Sequence, residues 1–208
     1  MISYVSYEAR RMNKKLIADI KNYVNYIMLP LDGLYYHQYD HALEVMQRAV
    51  YLWASEWVSQ NELEILAIAG LFHDTGFVIQ YDNNEYIWAK IAKNFLRANL
   101  YPEENIKLVE SLILITNPSK KPTTLLEKII KDADLDNLWR EDFLEKWVRL
   151  KHELETIKKI RIKDPDWRHA ALDLIEGHTF YTSTQIQERE QNLKKNTELL
   201  RKNLGSNI

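Results

Sequence analysis

The chain has 208 residues, 46% of them hydrophobic and 28% charged, enough to bury a substantial core and too apolar for a disordered polymer. Its 28 basic and 30 acidic side chains leave a formal net charge of −2, which supplies no strong field for nucleic acid or an anionic membrane surface. With no cysteine, disulfides and thiolate metal sites are excluded.

The N-terminal stretch MISYVSYEARRMNKK lacks the uninterrupted apolar segment of a secretory signal. The longest apolar run, ILAIAGLF at 65–72, is eight residues, far short of the roughly 20 needed to span a bilayer. A cytoplasmic protein without membrane partners is expected. No stretch shows the period-2 alternation of a half-buried strand, so the expected fold is all-α: a compact helical bundle in one domain over residues 1–208, with a core at 35–138 and C-terminal helices at 142–204 packing on it.

The first helix is expected at about 13–29, with Leu16, Ile20, Tyr23 and Ile27 on one stripe and the break at LPLDG, where Pro30 and Gly33 stand. A second follows at 39–57. A third starts near Asn61, an N-cap with Glu64 three residues on in a capping-box pattern. It carries the eight-residue apolar run, and a helix apolar on all sides belongs at the centre of a fold. After the loop FVIQYDNN come helices at 85–99 and about 102–115, the latter with Pro102 in its first position. The turn TNPSKKP leads to a helix at 123–135 and into KDADLDNLW. A long polar helix at 142–162 is broken by KDPDW. The last helix, 184–204, carries Ile186, Leu193 and Leu200 at heptad spacing, with Gly205 as its C-terminal cap. That stripe either packs back on the domain or forms a homodimer interface.

Phe72-His73-Asp74 is the most informative local sequence. An imidazole and a carboxylate ending an all-apolar helix are costly to bury unpaired. A divalent cation is one compensator, and this pair of donor types suits Mn, Fe, Co, Ni or Zn. The other reading is a helix C-terminus, with His73 on the helix dipole and Asp74 opening an Asx turn before Gly76. His41 lies on the second helix beside Ala42, Leu43 and Val45. Asp134 falls four residues after Ile130 and eight after Leu126, so it projects from the core face of its helix. Asp132 and Asp136 point elsewhere and are expected to cap or to face solvent. His41, His73, Asp74 and Asp134 can thus meet from three helices and leave coordination positions open for water, as a catalytic metal site requires.

In this order, YHQYDHALEV, LAIAGLFHDTG and KDADLDNL resemble the HD superfamily of metal-dependent phosphohydrolases, over about residues 35–138. The chain looks most similar to the small stand-alone bacterial members. The resemblance implies that His41, His73, Asp74 and Asp134 bind one divalent ion (Mn, Fe, Co, Ni, Zn or Mg). It also implies hydrolysis of a small phosphate ester by activated water, with a nucleotide as the first expectation. YHQYDHALEV is similar as well to the corresponding segment of cyclic-nucleotide phosphodiesterases, where the first histidine protonates the leaving oxygen. That role falls on His37, whose other reading is a surface or capping histidine. Asp74 would orient or deprotonate the water.

Many binuclear relatives carry further histidines where this chain has Asn84, before Glu85, and Thr116. Both are poor ligands, so a single tightly held metal is expected, and oxygenase and cyclic-di-GMP relatives are disfavoured. Glu85 either holds a water or a weak second ion in the outer shell, or is an exposed first-turn glutamate. Lys120 and Lys121, with Lys131, either meet the substrate phosphate or are solvated. EGHTFYT resembles a late stretch of the same small proteins and offers His178 and Tyr181 to close the pocket; His152 and His169 have no assigned role. Twelve tyrosines and six tryptophans can supply a platform for a nucleobase. The rival reading is a regulatory HD protein that uses the metal site as a ligand sensor, and His37 favours the enzyme, because a sensor needs no proton donor.

Overall fold

The computed structural model describes residues 12–29, 32–56, 60–82 and 84–205. The leader reading of the N-terminus falls largely on residues 1–11, and Pro30 also lies outside the described part; the third helix begins at Gln60, so Asn61 is inside it rather than its N-cap. Every regular element among the described residues is helical: α1 (Lys14–Met28), α2 (Tyr39–Ser55), α3 (Gln60–Phe72), α4 (Glu85–Ala98), α5 (Glu103–Ile115), α6 (Leu125–Asp134), α7 (Phe143–Lys158), α8 (Asp164–Gly177) and α9 (Ser183–Gly205). Single 3₁₀ turns follow α3 at Thr75–Val78 and α6 at Asp136–Trp139. The fold is all-α, as the periodicity indicates.

The apolar run makes α3 the central helix. Leu66, Ile68, Leu71 and Phe72 are all fully buried, and α1, α2, α5 and α6 each pack against it. α1 turns Leu16, Ile17, Ile20, Val24 and Met28 inward, and the Asn13 side chain caps its start by accepting the Leu16 N–H. α2 and α3 approach unusually closely. A Cβ on Gly70 would lie 2.9 Å from the backbone N and Cα of Met46, so a glycine is needed there. This approach sets the start of α2, with His41, beside the end of α3, with His73.

α6 begins with a capping box, Thr124 accepting the Glu127 N–H while the Glu127 carboxylate takes the Thr124 N–H. Five consecutive residues of this short helix, from Ile129 to Ala133, are buried, so neighbours cover more than one of its faces. A second apolar cluster joins Leu138, Trp139, Phe143, Ala171, Ile175, Phe180 and Leu200, and through it α7, α8 and α9 pack on the turn after α6.

Several expectations change. Asp132 and Asp136 do not face solvent. Asp132 is fully buried and accepts the N–H groups of Tyr181 (3.0 Å) and Thr182 (2.7 Å) and the Thr182 hydroxyl (2.7 Å). Asp136 pairs with Arg48 at 3.0 Å and Arg189 at 2.8 Å and accepts from Gln185 at 2.8 Å. KDPDW does not merely end a helix. α7 stops at Lys158, with Lys159 in the left-handed region at φ 52°, and α8 begins inside that motif with proline in its first turn, where the missing N–H costs nothing. Pro102 is the N-cap of α5 rather than its first residue. On α9, Leu200 is buried and Leu193 packs against the second cluster, while Ile186 is exposed.

Gly70→Ala tests the close approach. An exposed helical Gly→Ala change gains up to about 1 kcal/mol from propensity, whereas overpacking backbone against backbone costs about 1–3 kcal/mol. Net destabilisation, seen as a lower denaturant midpoint, is expected, and a raised midpoint would show that α2 and α3 are not in contact at this position.

Candidate metal centre

His41 comes from the first turn of α2, His73 directly follows α3, Asp74 precedes the 3₁₀ turn, and Asp134 is the last residue of α6. The His41 and His73 Nε2 atoms are 3.4 Å apart. Asp134 Oδ1 lies 3.4 Å from the first and 3.2 Å from the second, and Asp74 Oδ2 lies 3.4 and 3.1 Å from them. Donors held about 2.1 Å from one ion stand roughly 3.0–3.4 Å from one another in octahedral or tetrahedral arrangements, so these spacings fit a shared cation. His73 Nδ1 faces the Gly70 carbonyl at 2.8 Å, which places the ring proton there and leaves the Nε2 lone pair for the centre. Asp74 Oδ2 is buried without a hydrogen bond, a further sign that a cation belongs beside it. Donor atoms of His41, His73 and Asp134 all lie within 4.8 Å of one another and could hold a metal ion, and Asp74 stands beside the two histidines; imidazole and carboxylate donors suit a borderline transition metal.

Without a cation, protons carry the compensation. Burial works against charge on His73, but Asp74 and Asp134 outweigh it and raise its pKa well above the usual value. Burial likewise opposes ionisation of Asp74 and Asp134, and the surrounding histidines, His73 foremost, pull both carboxyls below their usual range.

The centre opens on a cavity of about 490 Å³, within the range of small-molecule sites. His37 stands in its wall, packed against Phe77 with ring centroids 4.1 Å apart and the rings tilted by 31°. Behind it lies Glu153 of α7, fully buried and absent from the sequence-based expectations. Its Oε2 accepts the backbone N–H groups of Tyr35, Tyr36 and His37 at 2.9, 2.8 and 3.0 Å. Its Oε1 meets His37 Nδ1 and accepts the Tyr81 hydroxyl at 2.9 Å. Burial lowers the His37 pKa, but Asp74 and Glu153 more than offset this and raise it. Glu153 was findable: it lies three residues after Leu150 and four before Ile157, on the inner stripe of its helix.

Lys120 and Lys121 are exposed and outside the cavity wall, which Lys131 and Lys146 reach instead. Glu85 lines the cavity and accepts from Asn117 Nδ2 at 2.8 Å. Asn84 and Thr116 stand in the wall but are already committed. Asn84 donates to the Gln80 and Tyr81 carbonyls, and the Thr116 hydroxyl donates to the Ile113 carbonyl. His178 and Tyr181 line the cavity, whereas His152 and His169 are exposed.

The family model described as "HD domain" matches residues 39–137, a span that contains all four converging residues and excludes His37 and Glu153. Residues 39–137 are thus similar to the HD domain, a match that spans just under half of the chain. No curated protein sequence matches it. Among solved structures it is similar to Bacillus subtilis YpgQ in complex with ADP, at 20% identity and a TM-score of 0.66, covering 92% of this chain and 96% of that one. The selenomethionine form of YpgQ gives 19% identity, a TM-score of 0.65 and coverage of 92% and 95%. A Lactobacillus plantarum protein gives 15%, 0.65, and 93% and 95%. At these identities the likeness establishes the fold. No helix among the described residues is long and apolar enough to cross a membrane.

The pKa directions predict a pH-dependent stability for the metal-free protein. The raised pKa of His73 gives stabilisation that is complete below its ordinary 6.5 and is lost as pH rises through the folded value. The lowered pKa values of Asp74 and Asp134 give stabilisation that is complete above 3.8 and is lost in acid. Melting temperature in chelator should therefore be highest between those values and fall above pH 6.5. Divalent metal at 100 times its Kd should add about 2.7 kcal/mol, with an affinity that rises with pH as the ligand protons are released. Chelator-treated protein that grows more stable from pH 6.5 to 9 would contradict this.

Proposed function

We propose that this chain hydrolyses a small phosphate ester, a nucleotide in the first instance, at one divalent ion held by His41, His73, Asp74 and Asp134, with His37 as proton donor to the leaving oxygen. The observation that carries the reading is the cluster of His41, His73 and Asp134, with Asp74 beside it, opening on a cavity whose wall presents a carboxylate-backed histidine. A bound divalent ion supplies a water whose pKa falls from about 15.7 toward about 7. Asp74 would orient that water or take its proton with a carboxylate oxygen. His37 gives Nδ1 to Glu153, so its Nε2 is the atom left to serve the leaving group. Glu153 favours the charged imidazole, which is the form a donor needs. Tyr36, Phe77, Trp88 and Trp147 give the cavity the aromatic faces that a nucleobase can stack on, and the structurally similar YpgQ was solved in complex with ADP. A ligand sensor would need no such backed histidine, which favours the enzyme.

Metal analysis and a metal-dependent screen with chromogenic phosphomonoester and phosphodiester substrates and a nucleotide panel test the assignment. His73→Ala and Asp74→Ala should lose bound metal and turnover together. His37→Ala should retain metal and lose about 10²–10⁴-fold in kcat; loss of metal would instead make His37 a ligand. Glu153→Gln should act through His37. Activity requires protonated His37 and declines as pH rises through its pKa, so weakening the carboxylate should move that limb to lower pH. An unmoved limb would remove Glu153 from the positioning of His37.

A further inference from the structure

The two lysines that reach the cavity differ in what they have already spent. Lys146, on α7, gives its ammonium to Glu44 at 2.6 Å. Lys131, on α6, is 4% exposed and forms no ion pair among the described residues. Its Nζ donates to the Asn117 carbonyl at 2.8 Å, and an ammonium carries three N–H donors, so this acceptor leaves donor capacity over. A cation held out of water without a counter-ion is unfavourable, and burial pushes the Lys131 pKa down while Asp134 pulls it back.

A second unspent group stands close to it. His178 lines the same cavity, and its Nε2 is buried without a hydrogen-bond partner. Burial and the Lys131 charge push its pKa down to about 4, so the ring is neutral at pH 7 and can donate from one nitrogen. The placement is built. Asp132, the residue next to Lys131, holds the Tyr181 and Thr182 backbone and so fixes the segment that carries His178 against α6.

We infer that Lys131 and His178 form an anion subsite beside the metal centre that takes a second phosphoryl group of the substrate. The inference rests on the proposed phosphoesterase reading and sharpens it. The phosphoryl group that reacts would lie at the centre formed by His41, His73, Asp74 and Asp134, and Lys131 would select substrates that carry another. Lys120 and Lys121 are exposed beyond the wall, and the Lys120 charge adds to the pressure on the Lys131 ammonium.

Calorimetric titration of metal-loaded protein with methylphosphonate and methylenediphosphonate, two non-hydrolysable probes that differ by one phosphonyl group, tests it, with metal content measured after each run. Wild type should prefer the diphosphonate by at least about tenfold, the worth of one charge-assisted contact. Lys131→Met should bring that ratio to about one, and His178→Phe should lower it. Lys131→Gln keeps an N–H for the Asn117 carbonyl and serves if the methionine variant does not fold. A ratio that survives loss of the lysine charge overturns the subsite, as does an equal loss of both probes, which would place Lys131 at the reacting phosphoryl group. If wild type holds metal yet binds neither probe and turns over no ester, the phosphoesterase reading fails and the subsite with it. If wild type is an active esterase whose ratio ignores Lys131, the subsite alone fails.

Discussion

Asp74, buried, and Asp134, partly buried, put two carboxylates at one junction of α2, α3 and α6, and the local architecture follows from how that charge is compensated. Unpaired, each would cost several kcal/mol. His41 and His73 stand within 3.1–3.4 Å of both, so protons or a divalent cation can balance the charge. Such distances tolerate little play, which is why backbone precision appears where it does. Gly70 lets α2 and α3 touch, and the Gly70 carbonyl also fixes the His73 ring. One glycine thus sets both the helix spacing and the orientation of a ligand.

Glu153 meets the same problem by a different route. It is fully buried, but three backbone N–H groups, a tyrosine hydroxyl and an imidazole occupy its two oxygens. A carboxylate satisfied in this way needs no cation. It ties the segment before α2 to α7, and Gly33, in the left-handed region at φ +91°, lets that segment lie against Thr156 of the same helix. His37 is therefore held from the C-terminal half of the chain, while the four converging residues are held from the N-terminal half and α6. The cavity lies where the two sets meet.

That division explains what the sequence makes legible. His41, His73, Asp74 and Asp134 are readable because each interrupts or continues an apolar stripe within a few residues, and helical periodicity converts that into direction. Periodicity fails where a helix is covered on several faces. Asp132 and Asp136 read as outward because α6 looked as if it had one inner face, yet Tyr181, Thr182, Gln185 and Arg189 bury the others. Those contacts join residues about fifty positions apart, and no local pattern announces them. α8 escaped because Pro165 reads as a breaker, although a proline in a first helical turn begins a helix equally well. Glu153 was readable in principle from the Leu150 and Ile157 spacing, but a glutamate in a strongly charged helix is ordinarily solvated, and its partners lie more than 70 residues away.

The C-terminal helices consequently do more than cover the HD core. α6 carries Asp134 toward the metal centre, Lys131 into the cavity and Asp132 toward the segment between α8 and α9. The turn that follows offers Asp136 to Arg48 of α2 and Arg189 of α9. A displacement of α9 would therefore be felt at α2, which bears His41, through Arg48 and Asp136. It would also be felt at the cavity wall, through the Asp132 contact that holds Tyr181. The polar groups around α6 are paired in series rather than left to water, and the second apolar cluster keeps those pairs in register by packing α7, α8 and α9 on the turn after α6. The family match ends at residue 137, but the cavity does not: Lys146, Trp147, His178 and Tyr181 complete its wall from beyond that boundary. The wall of the cavity is therefore shared between the matched segment, which brings the four converging residues, and helices that lie beyond it.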